Sequence, residues 1–212
     1  ATLLLIPVAF LGRRSHSLRV ADRWSWAGMT ALGLFSMLFT LTLLRELVLL
    51  AGAVFALPPM TGPTAAAVPL LALLGVAVGA FGARRTAAVR RVEVRIDGLP
   101  AALHGFTIVQ ISDVHVGPTV KRGFVQRIVD AVNRLQPDAV AVTGDLVDGR
   151  VRDLAGDVEP SAALRSRHGT FFVSGNHEYY SGVDEWAALL RRLGLKVLDN
   201  AHVVLDHDGA RL

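Results

Sequence analysis

With 212 residues, 52% of them hydrophobic, and a mean hydropathy of +0.44, the chain is too apolar to be an ordinary soluble domain throughout. Its net charge of +4 is unevenly placed: residues 1–91 hold nine Arg and two acids, residues 92–212 thirteen Lys or Arg and sixteen acids. A basic excess that flanks apolar stretches, and not the folded part, speaks against a nucleic-acid partner, and the absence of Cys excludes disulfides and thiolate metal sites.

In chain order, residues 1–12 (ATLLLIPVAFLG) are apolar. As a helix they would span about 18 Å against a hydrocarbon core of about 30 Å, so they read as the tail of a transmembrane helix, with a short buried anchor as the alternative. Arg13, Arg14, Arg19 and Arg23 are expected to form a basic loop, with Trp24 and Trp26 following at the place of an interfacial aromatic belt. A first complete crossing lies within residues 26–57, apolar apart from Arg45 and Glu46. It is either one long tilted helix or a crossing to about residue 44 followed by a re-entrant piece. Pro58, Pro59, Gly62 and Pro63 make an uncharged turn, and residues 64–83 form a second crossing that ends at Arg84, Arg85, Arg90 and Arg91. Both Arg-rich segments flank one hairpin whose own turn carries no Lys or Arg. The positive-inside rule therefore places them, and the domain that follows, in the cytoplasm of a multi-pass cell-membrane protein. The competing reading takes Arg13-Arg14 as a twin-arginine export signal; the long apolar run and the second crossing speak against it.

From residue 92 the texture changes, so the expected division is a transmembrane region over 1–91 and a second domain over 92–212. VEVRID alternates as a half-buried strand does. FTIVQIS, AVAVT and TFFVS read as buried parallel strands, residues 121–135 and about 183–193 as helices, 150–160 as a polar loop, and 195–198 and 202–205 as further strands. His207-Asp208-Gly209 is a tight-turn signal, and the chain is expected to end inside that hairpin.

Each central strand runs into metal-capable side chains: Asp113 and His115, then Gly144-Asp145 with Asp148, then Asn176-His177-Glu178. Ligands of open α/β sheets sit beyond the carboxyl ends of the strands, so the three clusters should converge. If the strand continues, Asp113 and His115 share a face and aim an oxygen and a nitrogen at one ion. Any one cluster alone could be Asp or Asn satisfying turn backbone; three in order make a two-metal hydrolytic site the better reading.

The series SDVH, GDLVD and GNHE resembles the calcineurin-like metallophosphoesterases, and the lead-in IDGLP to GFTIVQISDVHVG is similar to their membrane-anchored bacterial phosphodiesterase members. The resemblance covers about residues 92–212. It implies an α/β metallophosphoesterase β-sandwich with flanking helices, here C-terminally truncated and preceded by the helical transmembrane region, with two divalent metal ions (Mn, Fe, Zn or similar). Transferred by residue, it implies that Asp113 and His115 bind the first metal, Asp145 bridges both and Asn176 binds the second. His177 is then the acid at the leaving oxygen, and Asp148 orients its ring. The family's later histidine motif, GHxH, is absent, and His202 and His207 fall where the family carries no ligand. His16, His104 and His168 read as loop or surface residues. The chain as given is therefore expected to bind metal weakly, with a membrane-tethered phosphomono- or phosphodiesterase as its parent and a lipid-linked phosphoester as a substrate class that tethering suggests. The alternative is a noncatalytic membrane protein using a degenerate phosphoesterase domain for binding or regulation.

Overall fold

The computed structural model describes Pro7 and residues 18–58 and 60–212. The expected helix tail over residues 1–12, together with Arg13, Arg14 and His16, lies outside the described residues except for Pro7. The chain divides into two compact units, Ala1–Arg85 and Thr86–Leu212.

The first unit contains helix α1, Leu18–Val54, and helix α2, Thr61–Ala83. One correction follows. Arg19 and Arg23 belong to α1 and not to a loop, because nothing between Leu18 and Trp26 breaks a helix. Of the two readings of the run through Arg45 and Glu46, the single long helix is the one observed: α1 is uninterrupted over 37 residues, about 55 Å. Both helices are long and apolar enough to cross a membrane, and they fit a transmembrane region. Arg45 binds within this hairpin: its Nε donates to Thr64 Oγ1 at 3.1 Å, its Nη2 to the Thr61 carbonyl at 3.2 Å, and its Nη1 to Glu46. The charge thus ties the body of α1 to the first turn of α2. At the other end of the pair the Arg84 guanidinium lies 4.8 Å over the Trp26 ring.

The second unit is an α/β domain. Its strands β1 (Ile108–Ile111), β2 (Ala139–Thr143), β3 (Thr170–Val173) and β4 (Lys196–Val197) form one parallel sheet in the order of the sequence. Helix α3 (Arg122–Leu135) connects β1 to β2, and α4 (Val151–Val158) with a 3-10 turn (Glu159–Ala163) connects β2 to β3. Helices α5 (Asn176–Ser181) and α6 (Val183–Arg192) connect β3 to β4. A two-stranded antiparallel hairpin, β5 (Asp206–His207) and β6 (Ala210–Arg211), is separate from that sheet. Its turn places Asp208 and Gly209 at φ 52° and 84°, which suits the Asp-Gly pair.

The core follows from apolar spacing. Val125, Val129 and Val132 of α3, Leu154 and Val158 of α4, and Trp186 and Leu190 of α6 pack on Val140, Val142 and Phe172 of the sheet. Trp186 is fully buried and donates its Nε1–H to the Gly149 carbonyl at 2.9 Å. Residues 150–160 are helical where a polar loop is expected, because Val151, Leu154 and Val158 form an apolar stripe too short to stand out in sequence. Residues 92–97 make no strand: Val92, Val94 and Ile96 are exposed, and alternation alone forms no ladder without a partner. Residues 202–205 are likewise irregular up to Leu205, which exchanges backbone hydrogen bonds with Leu212.

The amino ends of the strands are tied by a polar and aromatic cluster. The Asp138 carboxylate accepts from the Thr107 N–H at 2.8 Å and the Thr107 hydroxyl at 3.0 Å, joining the entries to β1 and β2. His168 Nε2 and His207 Nδ1 are 2.9 Å apart beside the Phe106 ring: His168 lies in a loop, as expected, and with the buried His207 it holds the hairpin. Burial pushes the Asp138 carboxyl up, but the Thr107 N–H and hydroxyl, with the His207 and Arg167 charges, outweigh it and hold the carboxyl below its ordinary value of 3.8. A carboxyl lowered on folding stabilises the fold above its unfolded value and loses that contribution as the pH falls. Asp138→Asn is therefore expected to cost about 1 kcal/mol at neutral pH, with the difference from wild type shrinking as the pH falls below 3.8. Urea denaturation of the two proteins across the acid range checks this.

Candidate metal centre

In a parallel sheet every strand ends on the same side. Here the ends are also level, with Ile111 beside Val142 and Thr143 beside Val173. The three loops that follow carry every residue singled out from the sequence. Beyond the strands, the first two loops stay zipped by backbone hydrogen bonds: Asp113 N to Gly144 O at 3.3 Å, His115 N to Asp145 O at 3.0 Å, Val116 N to Leu146 O at 2.8 Å, and Asp148 N to Val116 O at 2.8 Å. That zipper brings Asp113 and His115 up against Asp145 and Asp148.

The backbone there is not the extended strand expected. Asp113, His115 and Asp145 take left-handed φ values of 56°, 51° and 51°. Asp and His tolerate this region better than most side chains, and its concentration at three neighbouring polar positions marks a site where geometry overrides local comfort. Asp113 and His115 still converge, with His115 Nε2 3.9 Å from Asp113 Oδ1.

Asp148 Oδ1 accepts from two imidazoles, at 2.9 Å from His115 Nδ1 and 2.5 Å from His177 Nδ1. The sequence reading pairs Asp148 with His177 alone; the second bond to His115 is a finding of the structure. With both Nδ1 atoms so engaged, both Nε2 atoms are free for other chemistry. The rings meet edge to face with centroids 4.5 Å apart. The Asp148 hydrogen bond raises the His115 imidazole above its ordinary value of 6.5; burial opposes the shift, and the charges of Asp148, Asp145 and Asp113 add to it.

Asp145 is the centre of the cluster. Its Oδ1 accepts the His177 backbone N–H at 3.1 Å, and the Asn176 amide lies against its carboxylate, the nitrogen donating at 3.2 and 3.3 Å. Turned the other way, the same amide offers an oxygen beside that carboxylate. Ligand-capable atoms of His115, Asp145 and His177 all lie within 4.8 Å of one another. The sequence reading makes His177 an acid and not a ligand; the structure places it within reach of either role. Imidazole nitrogens, carboxylates and an amide oxygen are the donor set of a borderline divalent ion, and the anionic field that raises the proton affinity of His115 suits a cation in the same place. The residues present therefore fit a metal.

One residue that carries no assigned role in the sequence reading holds this geometry together. Glu178 is 1% exposed, and its carboxylate accepts four backbone N–H groups: Asp145 at 3.0 Å, Leu146 at 2.7 Å, Val147 at 3.3 Å and Gly175 at 2.7 Å. It ties the second loop to the third. Glycine allows the loops to approach this closely: a Cβ on Gly144 would meet Gly175 N at 2.5 Å, and one on Gly175 would meet Asp145 N at 2.7 Å. The four-residue spelling GNHE contains the signal, a Glu at the third helical position that caps its own helix, but not the reach of that carboxylate into the neighbouring loop. Glu178→Gln keeps one acceptor oxygen and turns an NH2 against a backbone donor. It is expected to cost about 2–3 kcal/mol of stability and to weaken Mn2+ binding about 10- to 100-fold, read by urea denaturation and by calorimetric metal titration of the full-length protein. Unchanged metal affinity in a folded variant would show that Glu178 does not position Asp145.

Residues 106–210 match the family described as calcineurin-like phosphoesterase. The chain is 41% identical over 138 residues to a Danio rerio transmembrane protein with metallophosphoesterase domain, and 44% identical over 134 residues to its Bos taurus counterpart. Each alignment takes in 63% of this chain but only 32% and 30% of the relative, so the chain spans about a third of their length. A Chlamydia muridarum UDP-2,3-diacylglucosamine pyrophosphatase, LpxG, is 32% identical over 90 residues, 42% of this chain and 27% of that protein. No solved structure matches the chain. The three motifs, the level strand ends that carry them and these relatives agree: over residues 106–210 the chain belongs to the calcineurin-like phosphoesterases.

Proposed function

We propose that this chain is the membrane-anchoring and metal-binding part of a phosphoester hydrolase, acting on phosphomono- or phosphodiesters with two divalent ions of the Mn, Fe or Zn type. The single observation that carries the reading is the convergence of three loops on Asp145, with His115, His177 and Asn176 around it. Asp113 and His115 would hold one ion, Asp145 both, and Asn176 the second. Bound there, such a pair lowers the pKa of a bridging water and clamps phosphate oxygens for in-line attack.

The chain's own residues supply the rest. Asp148, hydrogen bonded to His177 Nδ1, holds the ring so that Nε2 faces the pocket and can deliver a proton to the departing oxygen. The same carboxylate on His115 Nδ1 directs the His115 Nε2 lone pair inward, as a carboxylate behind a metal-binding histidine does. The two apolar helices support a multi-pass membrane anchor, and the clustering of Arg at the ends of that hairpin supports a cytoplasmic domain. A tethered domain would meet membrane-borne substrates most often, so the substrate class we favour is a lipid-linked phosphoester. The printed name of the Chlamydia relative, a pyrophosphatase of UDP-2,3-diacylglucosamine, is in keeping with that. No nucleic acid is needed as a partner.

The full-length protein loaded with Mn2+ is expected to hydrolyse bis(p-nitrophenyl) phosphate and to lose that activity to a chelator. His177→Ala should lower kcat about 10²- to 10⁴-fold with bound metal unchanged, whereas Asp145→Ala should lose the metal itself. Loss of metal in His177→Ala would make His177 a ligand in place of an acid. Inactivity of the wild type on every phosphoester offered with Mn, Fe, Zn or Ni would leave the noncatalytic, binding or regulatory role.

A further inference from the structure

His177 and Tyr180 are three residues apart on α5, so they share a face of that helix. Glu178 and Ser181 share the adjoining face, and they are 1% and 9% exposed, turned into the domain. The helix is thus fixed in rotation by its buried side, and Tyr180 stands one turn outward from His177. The two rings meet at 68° with centroids 5.9 Å apart. With His115 they form a file of rings: His115 to His177 at 4.5 Å, then His177 to Tyr180.

Tyr180 is 80% exposed. Among the described residues no hydrogen bond ties its hydroxyl, and its ring contact is with His177. An aromatic face presented to solvent and oriented only by its neighbour in the site is poor use of a tyrosine for stability, and good use of one for stacking. Tyr179, 62% exposed on the same short helix, has no such contact with the site histidines among the described residues.

We propose that Tyr180 is a specificity-determining residue. It forms one wall of a subsite, next to His177, that takes the leaving group of the substrate when that group is a ring with an apolar face, aryl or glycosyl. This rests on the hydrolase reading, because it is His177 at the departing oxygen that places the leaving group beside Tyr180. Stacking on one exposed ring is a modest, selective effect, about tenfold in affinity, and insensitive to the hydroxyl.

The test separates the subsite from turnover. The Mn2+-loaded full-length protein is titrated calorimetrically with phenylphosphonate and with methylphosphonate, which share the anionic head and differ in the ring. Hydrolysis of phenyl phosphate and methyl phosphate is followed in parallel. Wild type should bind phenylphosphonate about tenfold more tightly than methylphosphonate. Tyr180→Ala should abolish that preference and raise KM for phenyl phosphate without changing KM for methyl phosphate, while Tyr180→Phe and Tyr179→Ala keep the preference. A preference that survives in Tyr180→Ala, is absent from wild type, or moves equally with Tyr179→Ala overturns the proposal. Ring preference without hydrolysis would sink the hydrolase reading and leave the subsite standing; hydrolysis without ring preference would do the reverse.

Discussion

The geometry of the site depends on a buried carboxylate. Taking the Glu178 side chain out of water is costly unless its oxygens are satisfied, and here four backbone N–H groups from two loops satisfy them. Three of those donors are consecutive, Asp145 to Val147, so the chain around Asp145 wraps the carboxylate oxygens and cannot relax without stranding either the amides or the acid. The same wrap turns the Asp145 side chain away from Glu178 and toward His115 and Asn176. Two carboxylates distant in sequence are thus close in space, one accepting backbone N–H groups and the other beside His115, Asn176 and His177.

That wrap explains the strain beside it. Asp113, His115 and Asp145 adopt left-handed backbone that would be abandoned in an isolated peptide. They keep it because the loops are zipped to each other by backbone bonds and closed against the third loop through Gly144 and Gly175, where no side chain fits. The rigid scaffold is the parallel sheet: level strand ends on one side deliver all three loops to the same place, and the cluster of Asp138, His168 and His207 stabilises the opposite side.

Much of this was legible in the sequence, because apolar runs ending in Asp, His and Asn report both a buried strand and the chemistry after it. β1, β2, β3, α3 and α6 lie close to where periodicity puts them, and His115, Asp145 and His177 offer ligand atoms within 4.8 Å of one another. What was not legible depends on contacts distant in sequence. Residues 92–97 alternate like a strand, but pairing is a property of two segments. Helix α4 announces itself by only three apolar positions, and α5 is hidden because GNHE reads as loop chemistry. The sequence leaves open whether α1 runs straight through Arg45 and Glu46; it does, and Thr61 and Thr64 on the next helix receive the guanidinium. Glu178 is the sharpest case: its spelling gives a helix cap, and only the fold reveals that the cap also binds the neighbouring loop.

Asp148 raises the remaining question of how two histidines on one carboxylate could do different work. A single oxygen bonded to both Nδ1 atoms sets the same tautomer in both rings, so the carboxylate alone cannot make one a ligand and the other an acid. The difference must come from what each Nε2 faces. His115 Nε2 lies 3.9 Å from Asp113 Oδ1, and Asp148, Asp145 and Asp113 raise the proton affinity of its ring, the field a divalent ion would occupy. His177 lies in the first turn of α5, with its backbone N–H on Asp145 and its ring centroid 5.9 Å from that of exposed Tyr180. A leaving group departing past Tyr180 would therefore meet the His177 ring before that of His115. In the hydrolase reading the division of labour follows from position along one file of rings, with Asp148 holding the two inner members in register.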